Sequence, residues 1–223
     1  MIYIIKHREV DTPKLKGYKT LNVGDMYKYK NKDNINEYNG YISEITAIYY
    51  LWKNCKDDIV GQVHYRRFLL DNDEILSYDK AKELLEEYDF IFAERYVVGN
   101  GIYNNLRGEI GNEINQATLD KYYNKLIEIE PELEEYFKQT WFYPRHMYIC
   151  KKELLNKYAE WLFPIILPMV EEFIEKDAEI NQKQKLLGYL FERIFTYWIL
   201  KNNLKVKELP YNETMDRLPV TEV

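Results

Sequence analysis

Four consecutive residues, His64-Tyr65-Arg66-Arg67, concentrate more chemistry than any other stretch of this chain. An imidazole, a phenol and two guanidinium groups follow directly on the apolar run Ile59-Val60-Gly61-Gln62-Val63. Guanidinium forks grip carboxylate or phosphate oxygens through paired N–H donors. The tetrad therefore reads as the mouth of a site for an anionic substrate. Ion pairing of one arginine with Glu44 or Glu192, to hold the fold together, is the structural alternative.

The tetrad needs an element to carry it. Ile59, Val60 and Val63 read as a buried strand, with Gly61 permitting a close neighbour. Alternation along that strand puts His64 and Arg66 on one face and Tyr65 and Arg67 on the other. In open α/β sheets ligands bind beyond the carboxyl ends of strands, which is where this tetrad falls. Before the strand, Ile42, Ile45, Ile48, Tyr49 and Trp52 recur at helical spacing and predict a helix of about four turns. Asn36 or Asn39 is placed to cap its start, and Asp57-Asp58 makes the turn into the strand.

The remaining chain alternates short apolar runs with helical patterns. Ile2–Ile5 predicts a first strand with His7 just past its carboxyl end. Residues 8–33 read as a long loop. Ser77 or Asp79 caps a helix carrying Ala81, Leu84 and Leu85. The run 88–93 predicts a strand, and 97–111, rich in glycine and asparagine, a second long loop. Residues 112–129 predict a helix with Ile114, Leu119, Tyr122 and Leu126 inward, and Pro131 opens a short successor. An aromatic loop spans 141–144, and 145–150 reads as a strand with His146 near its start. A helix over 151–163 gives way at Pro164 to another running towards Lys176. The longest helix is expected over 181–202, with Leu187, Phe191, Ile194 and Trp198 as its buried stripe. Gly188 and Glu192 lie on the flank of that stripe, where a glycine allows close approach and a glutamate becomes a partly buried carboxylate. A last strand or arm covers 204–209, and the final dozen residues read as loose. Strands alternating with helices predict an α/β sandwich with a mostly parallel central sheet, and the length of 223 residues suits one domain over 1–223.

Composition narrows the function classes. A net charge of −6 argues against nucleic-acid binding, which needs a basic face. The 22 tyrosines suit a groove for sugar or base stacking, or are plain packing in a biased composition. Tyr3, Tyr65 and Tyr96 carry the same pair of readings. Cys55 and Cys150 have no metal-ligand spacing, which suggests a reducing, cytoplasmic setting. The N-terminus lacks the pattern of a signal peptide. The most apolar stretch, 161–170, is short and holds Pro164 and Pro168, so it does not predict a membrane span. Contact with a membrane surface stays open.

Several stretches in order along nearly the whole chain resemble a bacterial polysaccharide-biosynthesis family known as domain of unknown function 4422, found among capsule and O-antigen genes. They are Asp33-Asn34-Ile35, then SEITAIYYLWKN, DIVGQVHYRRF, YICKKELLNKYAEWLFPI and LLGYLFERIFTYWILKNNLKVKELP. HYRRF after a buried strand is the most specific of these. The resemblance implies a GT-A-like, Rossmann-like three-layer sandwich with a helical C-terminal half. It implies a glycosyltransferase, in some members galactofuranosyltransferase-like, using a UDP-sugar donor and a lipid-linked or oligosaccharide acceptor at the inner face of the cytoplasmic membrane. The chain departs from the family pattern at Arg145-His146-Met147, where a small amide is expected, and in the loop after Ala93.

Glycosyl transfer has two needs: the diphosphate leaving group must be neutralised, and the acceptor hydroxyl must lose a proton. The expected donor site comprises His7, Glu44, His64, Tyr65, Arg66 and Arg67, with Arg66 and His64 on the diphosphate and no metal. Glu192, with His64, is the candidate for proton transfer, or for orienting the acceptor. Arg145 and His146 are placed on the acceptor side. Asp71-Asn72-Asp73 is an Asp-x-Asp triplet that would hold Mg²⁺ or Mn²⁺, or is simply a solvated turn. A zinc site of His7, His64 and His146 has no support in their spacing. The alternative to an enzyme is a degenerate nucleotide-sugar or carbohydrate-binding module partnering a larger synthase; a metal-dependent nuclease or phosphatase is weaker, for want of a ligand cluster.

Overall fold

The structure, a computed structural model, describes residues 1–29, 31–181 and 185–212. Of the final dozen residues expected to be loose, Asn212 is described and bonded to Phe68, and 213–223 lie outside the described residues. The chain runs β1 (Ile2–Lys6), β2 (Tyr18–Asn22), α1 (Asn39–Ile42), α2 (Ile45–Asn54), β3 (Ile59–His64), β4 (Leu70–Asp71), β5 (Glu74–Ile75), α3 (Tyr78–Leu84) and β6 (Phe90–Ala93). It continues through β7 (Tyr96–Val97), α4 (Ile102–Ile110), α5 (Glu113–Ile129), α6 (Leu133–Tyr136), β8 (Trp141–Phe142), β9 (Tyr148–Lys151), α7 (Lys152–Asn181), α8 (Leu186–Lys201) and β10 (Val206–Leu209).

Six strands form the central sheet in the order β10-β6-β9-β3-β1-β2. Five share one direction, and β9 runs against both its neighbours, β3 and β6. Strict alternation along the strands builds the three layers of this GT-A-like sandwich. Tyr3, Ile5, Val60, Phe90, Phe92, Tyr148 and Cys150 face a large core shared with α2, α5, α7 and α8. Ile2, Ile4, Val63, Ile91 and Ile149 face a smaller core closed by Ala81 of α3 and by Phe68 and Leu69. The second half of the chain is largely helical, and among the described residues no helix is long and apolar enough to cross a membrane.

Several local expectations change. Residues 8–33 contain β2, which adds to β1 at the sheet edge; of its five residues Leu21 alone is buried, so it shows no run or alternation. Residues 97–111 contain α4, whose Ile102, Leu106 and Ile110 are buried at four-residue spacing beneath a polar outer surface. In α5, Asn112 caps the first turn by accepting from the Asn115 N–H, but Ile114 is 66% exposed rather than inward. The helices divided at Pro164 are one 30-residue helix, α7, with Pro164 and Pro168 inside it. Each proline removes one backbone donor, and the buried face of the helix continues past both. α7, not α8, is therefore the longest helix. Tyr96–Val97 pairs with Trp141–Phe142, so the aromatic loop is in part a strand. Asn36 and Asn39 do not cap α2. Asn36 instead bonds both backbone groups of Gly24, and Asn39 donates to Ser43 O and Thr46 Oγ1. Ser77 does cap α3, accepting from Lys80 N at 3.1 Å.

Gly61 meets the expectation of close approach. A Cβ there would stand 2.6 Å from Tyr148 O and 2.7 Å from Ile149 Cγ1 on β9. β3 and β9 can pair at this register because the side chain is missing. Gly61→Ala is expected to destabilise the protein by about 1–3 kcal/mol, the usual cost of overpacking. A urea midpoint unchanged from wild type would show that the two strands can part at no cost.

Candidate active site

The carboxyl ends of β1 and β3 and the amino end of the antiparallel β9 lie at one edge of the sheet, which gathers His7, His64 and the pair Arg145-His146. The break between α1 and α2 brings Ser43 and Glu44 to the same edge; Ser43 has φ 51°. The first turns of α8 close the ring. Gly188 makes that closure possible, since a Cβ there would already sit 3.4 Å from Ile42 Cα and Tyr41 O. The result is a cavity of about 410 Å³.

Four cations (Arg66, Arg67, Arg145 and Lys185) and two carboxylates (Glu44 and Glu192) line it, with His7, His64 and His146. Eight of the residues singled out in the sequence thus share one cavity. Tyr65 does not line it. It is buried at 5% exposure in the smaller core and borders an adjoining hollow. The face-sharing expected of the tetrad fails, because β3 ends at His64. His64 N donates to Arg67 O and Arg67 N to His64 O, both at 3.2 Å, so a tight turn brings His64 and Arg67 together. Asp71 and Asp73 belong to the β4–β5 hairpin, whose turn residues Asn72 and Asp73 have positive φ; neither aspartate lines the cavity. Lys185, Ser43 and Tyr189 line the cavity and carry no sequence signal of the kind used above.

The internal bonds define who holds whom. The Arg145 carbonyl can only accept, so the 2.7 Å contact from His64 Nε2 fixes the proton on that nitrogen. His64 Nδ1 faces Glu44 Oε1 at 3.8 Å. Glu192 accepts the Arg145 N–H and stands 3.6 Å from the guanidinium of Arg193. Arg193 itself is buried and bonded to Tyr189 O and Glu109. Gln62 Nε2 donates to His146 O at 2.9 Å. Arg145 and His146 have φ of 70° and 48°, a left-handed turn locked on three sides by these bonds. Neither Glu44 nor Glu192 forms an ion pair with Arg66; the Arg66 guanidinium sits 5.7 Å over the Tyr65 ring and is exposed.

Burial lowers the pKa of His7, with the neighbouring Lys185 adding to the effect, and lowers that of His64 against the pull of Glu44. Burial, against the pull of Glu44 and with His64 adding to it, takes His146 down to about 4, and its Nε2 has no hydrogen-bond partner. Burial raises Glu44 but is outweighed by His64, the residue's own N–H and Lys185, so the carboxyl is held low. Burial raises Glu192 above the usual carboxylate range against the opposing pull of Arg193. At neutral pH the cavity thus presents guanidinium charge, neutral imidazoles, and one carboxylate more basic than usual.

The family model "Domain of unknown function (DUF4422)" matches residues 1–203. The chain belongs to this family. The match ends before β10, so the outermost strand next to β6 lies beyond it. Among solved structures, the DUF4422 chain is similar to the apo structure of WbbM, a bifunctional glycosyltransferase, with a TM-score of 0.76 and 23% identity. That likeness covers 96% of this chain and 45% of the WbbM chain, so this chain spans less than half of its length. No curated protein matches.

The buried imidazole gives a prediction of sign. His146 shifts from an ordinary 6.5 to about 4, so the folded state binds fewer protons than the unfolded chain across that window. Its contribution is present above pH 6.5 and is lost as the pH falls towards 4. Glu44, held low, loses stability in the same direction but below its ordinary value of 4.5. Glu192, held high, acts oppositely: its share is present below 4.5 and lost as pH rises through its raised value. Melting temperature should fall between pH 6.5 and 4, and His146→Asn should flatten that fall. An unchanged slope would place the acid sensitivity elsewhere.

Proposed function

We propose that residues 1–223 form one glycosyltransferase-like domain that moves a sugar from a UDP-sugar donor to a lipid-linked or oligosaccharide acceptor of a capsular or O-antigen polysaccharide. Galactofuranose is the sugar that the family resemblance implies, and the inner face of the cytoplasmic membrane is the expected place of work. The cationic cavity at the carboxyl edge of a GT-A-like sheet carries this reading. The fold likeness to a glycosyltransferase structure supports it.

The chemistry follows from the lining. As the bond between the anomeric carbon and the diphosphate breaks, its electron pair leaves with the diphosphate. Arg66, Arg67 and Lys185 meet that charge, and the 16-residue α8, with Lys185 at its N-cap position, adds the positive end of its dipole. Donors fixed beforehand stabilise such charge without reorganising during the reaction. The acceptor hydroxyl attacks that carbon and gives its proton to Glu192, whose raised pKa suits a base. His146 faces the acceptor. His64, with one nitrogen on Arg145 O and the other towards Glu44, organises the site rather than touching phosphate.

The donor set fits a divalent cation poorly. Of the cavity's two carboxylates Glu44 faces His64 and Glu192 faces Arg193, Asp71 and Asp73 stand outside the cavity, and among the described residues no group of three or more His, Cys, Asp or Glu suits a metal. Guanidinium groups take the part that Mg²⁺ or Mn²⁺ would play. The second reading is a non-catalytic or degenerate nucleotide-sugar- or carbohydrate-binding module partnering a larger synthase; coverage of 45% of the bifunctional WbbM chain suits it as well as it suits a single transferase unit.

Titration calorimetry with UDP-sugars, with and without Mn²⁺, tests these readings. Binding is expected without metal and should weaken about 10-fold or more in Arg66→Ala, the usual scale for a charged hydrogen bond. An absolute need for Mn²⁺ would overturn the metal-free site. Binding without turnover on any lipid-linked acceptor would favour the module, and no uptake of any UDP-sugar would defeat both.

A further inference from the structure

Arg193 is buried at 1% exposure, and its guanidinium lies between two carboxylates. On one side is Glu192, which lines the cavity. On the other is Glu109, which does not line it and is exposed in the last turn of α4. The guanidinium is not shared equally. Nη2 donates to Glu109 Oε2 at 2.9 Å and to Asn105 Oδ1, one turn earlier on the same helix, at 3.3 Å. Nη1 donates to Tyr189 O at 2.8 Å, while Glu192 Oε2 stands 3.6 Å away, beyond hydrogen-bond reach.

Two further observations show the group drawn towards α4. Nε of Arg193 is buried with no hydrogen-bond partner, a costly state for a charged donor. The bonds of Nη2 to Glu109 and Asn105 offset that cost, because a hydrogen bond between ionised partners is among the strong ones. Glu109 itself sits at the carbonyl end of α4, where the helix dipole disfavours a carboxylate, so helix formation does not explain its place.

We infer that Glu109 is a positioning residue for Glu192: by anchoring the Arg193 guanidinium from the α4 side, it keeps that charge from closing onto the carboxylate in the cavity. The consequence for transfer rests on the reading of Glu192 as proton acceptor. A carboxylate in a full ion pair is a weak base, whereas one that faces the same guanidinium across a gap keeps its affinity for a proton. Other groups also bear on Glu192. Glu44, from the break between α1 and α2, raises it further, and the N–H and charge of Arg145, from the turn before β9, lower it. Arg66, Arg67, Lys185, His7, His64 and His146 line the same cavity. A substitution at Glu109 changes none of these residues.

A site-resolved ¹³C NMR titration of the Glu192 carboxyl in the full chain tests the inference without any substrate, the signal being assigned by its loss in Glu192→Gln. Glu109→Gln, at an exposed position, should melt close to wild type. It should move the Glu192 midpoint down by about one pH unit, because the released guanidinium turns to the carboxylate that remains. Glu109→Asp keeps the charge but withdraws its oxygens by a methylene, and should give about half of that fall. A midpoint unmoved in Glu109→Gln overturns the inference. So does a fall in Glu109→Gln with none in Glu109→Asp, which would mark the loss of a nearby charge and not of an anchor. Either of these results leaves the proposed sugar transfer standing. If both midpoints fall as expected but Glu192→Gln transfers sugar at the wild-type rate, the anchor is supported and the role of Glu192 as base falls.

Discussion

His64 donates its Nε2–H to the Arg145 carbonyl at 2.7 Å, across the seam between a parallel and an antiparallel strand. That bond joins residues 81 apart in the chain. It depends on the direction of β9. A ninth strand running parallel to β3 would carry Arg145 and His146 to the opposite edge of the sheet, away from His7 and Glu44. Because β9 is reversed, its entry turn meets the exit of β3, with Gln62 opposite Tyr148 in register. Gly61 sets the spacing of that pair, since β9 occupies the place of its side chain. The charged cavity is thus a consequence of strand direction before it is one of electrostatics.

The electrostatics then follow a consistent rule. Arginines that must meet an anion stay ionised whatever their surroundings, because a guanidinium does not give up its proton. Imidazoles at the same edge do the opposite: burial makes them neutral, so they add nothing to the repulsion among Arg66, Arg67, Arg145 and Lys185, and His64 supplies a directed hydrogen bond as well. The two carboxylates differ because their neighbours differ. Glu44 has His64 and Lys185 nearby and is held ionised, whereas burial outweighs Arg193 at Glu192. Pairs of groups pushed apart in this way separate a structural charge from a proton acceptor.

The sequence made the long-range shape legible where side chains alternate or recur. β1, β3 and β6, α3 and α5, and the buried stripe of α8 were all readable from apolar periodicity. His7, His64, Arg66, Arg67, Arg145 and His146 were placed near strand ends by position, and Glu192 within a turn of Gly188; Glu44 reaches the same cavity through a break that the helical spacing did not show. What was hidden is what spacing cannot encode. β2 buries one residue in five. α4 hides a four-residue repeat under asparagines and a glycine. Pro164 suggested a helix end, but the surrounding core carries α7 straight through it. The tetrad curls because β3 ends at His64, three residues before alternation assumed. Lys185 enters the site through a backbone path that no local pattern records.

The left-handed turn at Arg145-His146 is the harder feature to account for by packing alone. For residues with a Cβ, the left-handed region costs roughly 1–2 kcal/mol each. Glycine or asparagine would relieve that strain, and a connection from β8 to β9 needs no more than that. Instead, Glu192, His64 and Gln62 each spend a hydrogen bond on holding the turn. Three buried polar partners and a strained backbone are a large commitment for a linker, but a reasonable one for aiming a side chain. The conformation sends the Arg145 guanidinium towards Tyr211 and sets the His146 ring against the cavity with an unpartnered nitrogen. Strain of this kind persists where the direction of the side chains matters more than the cheapest path of the chain.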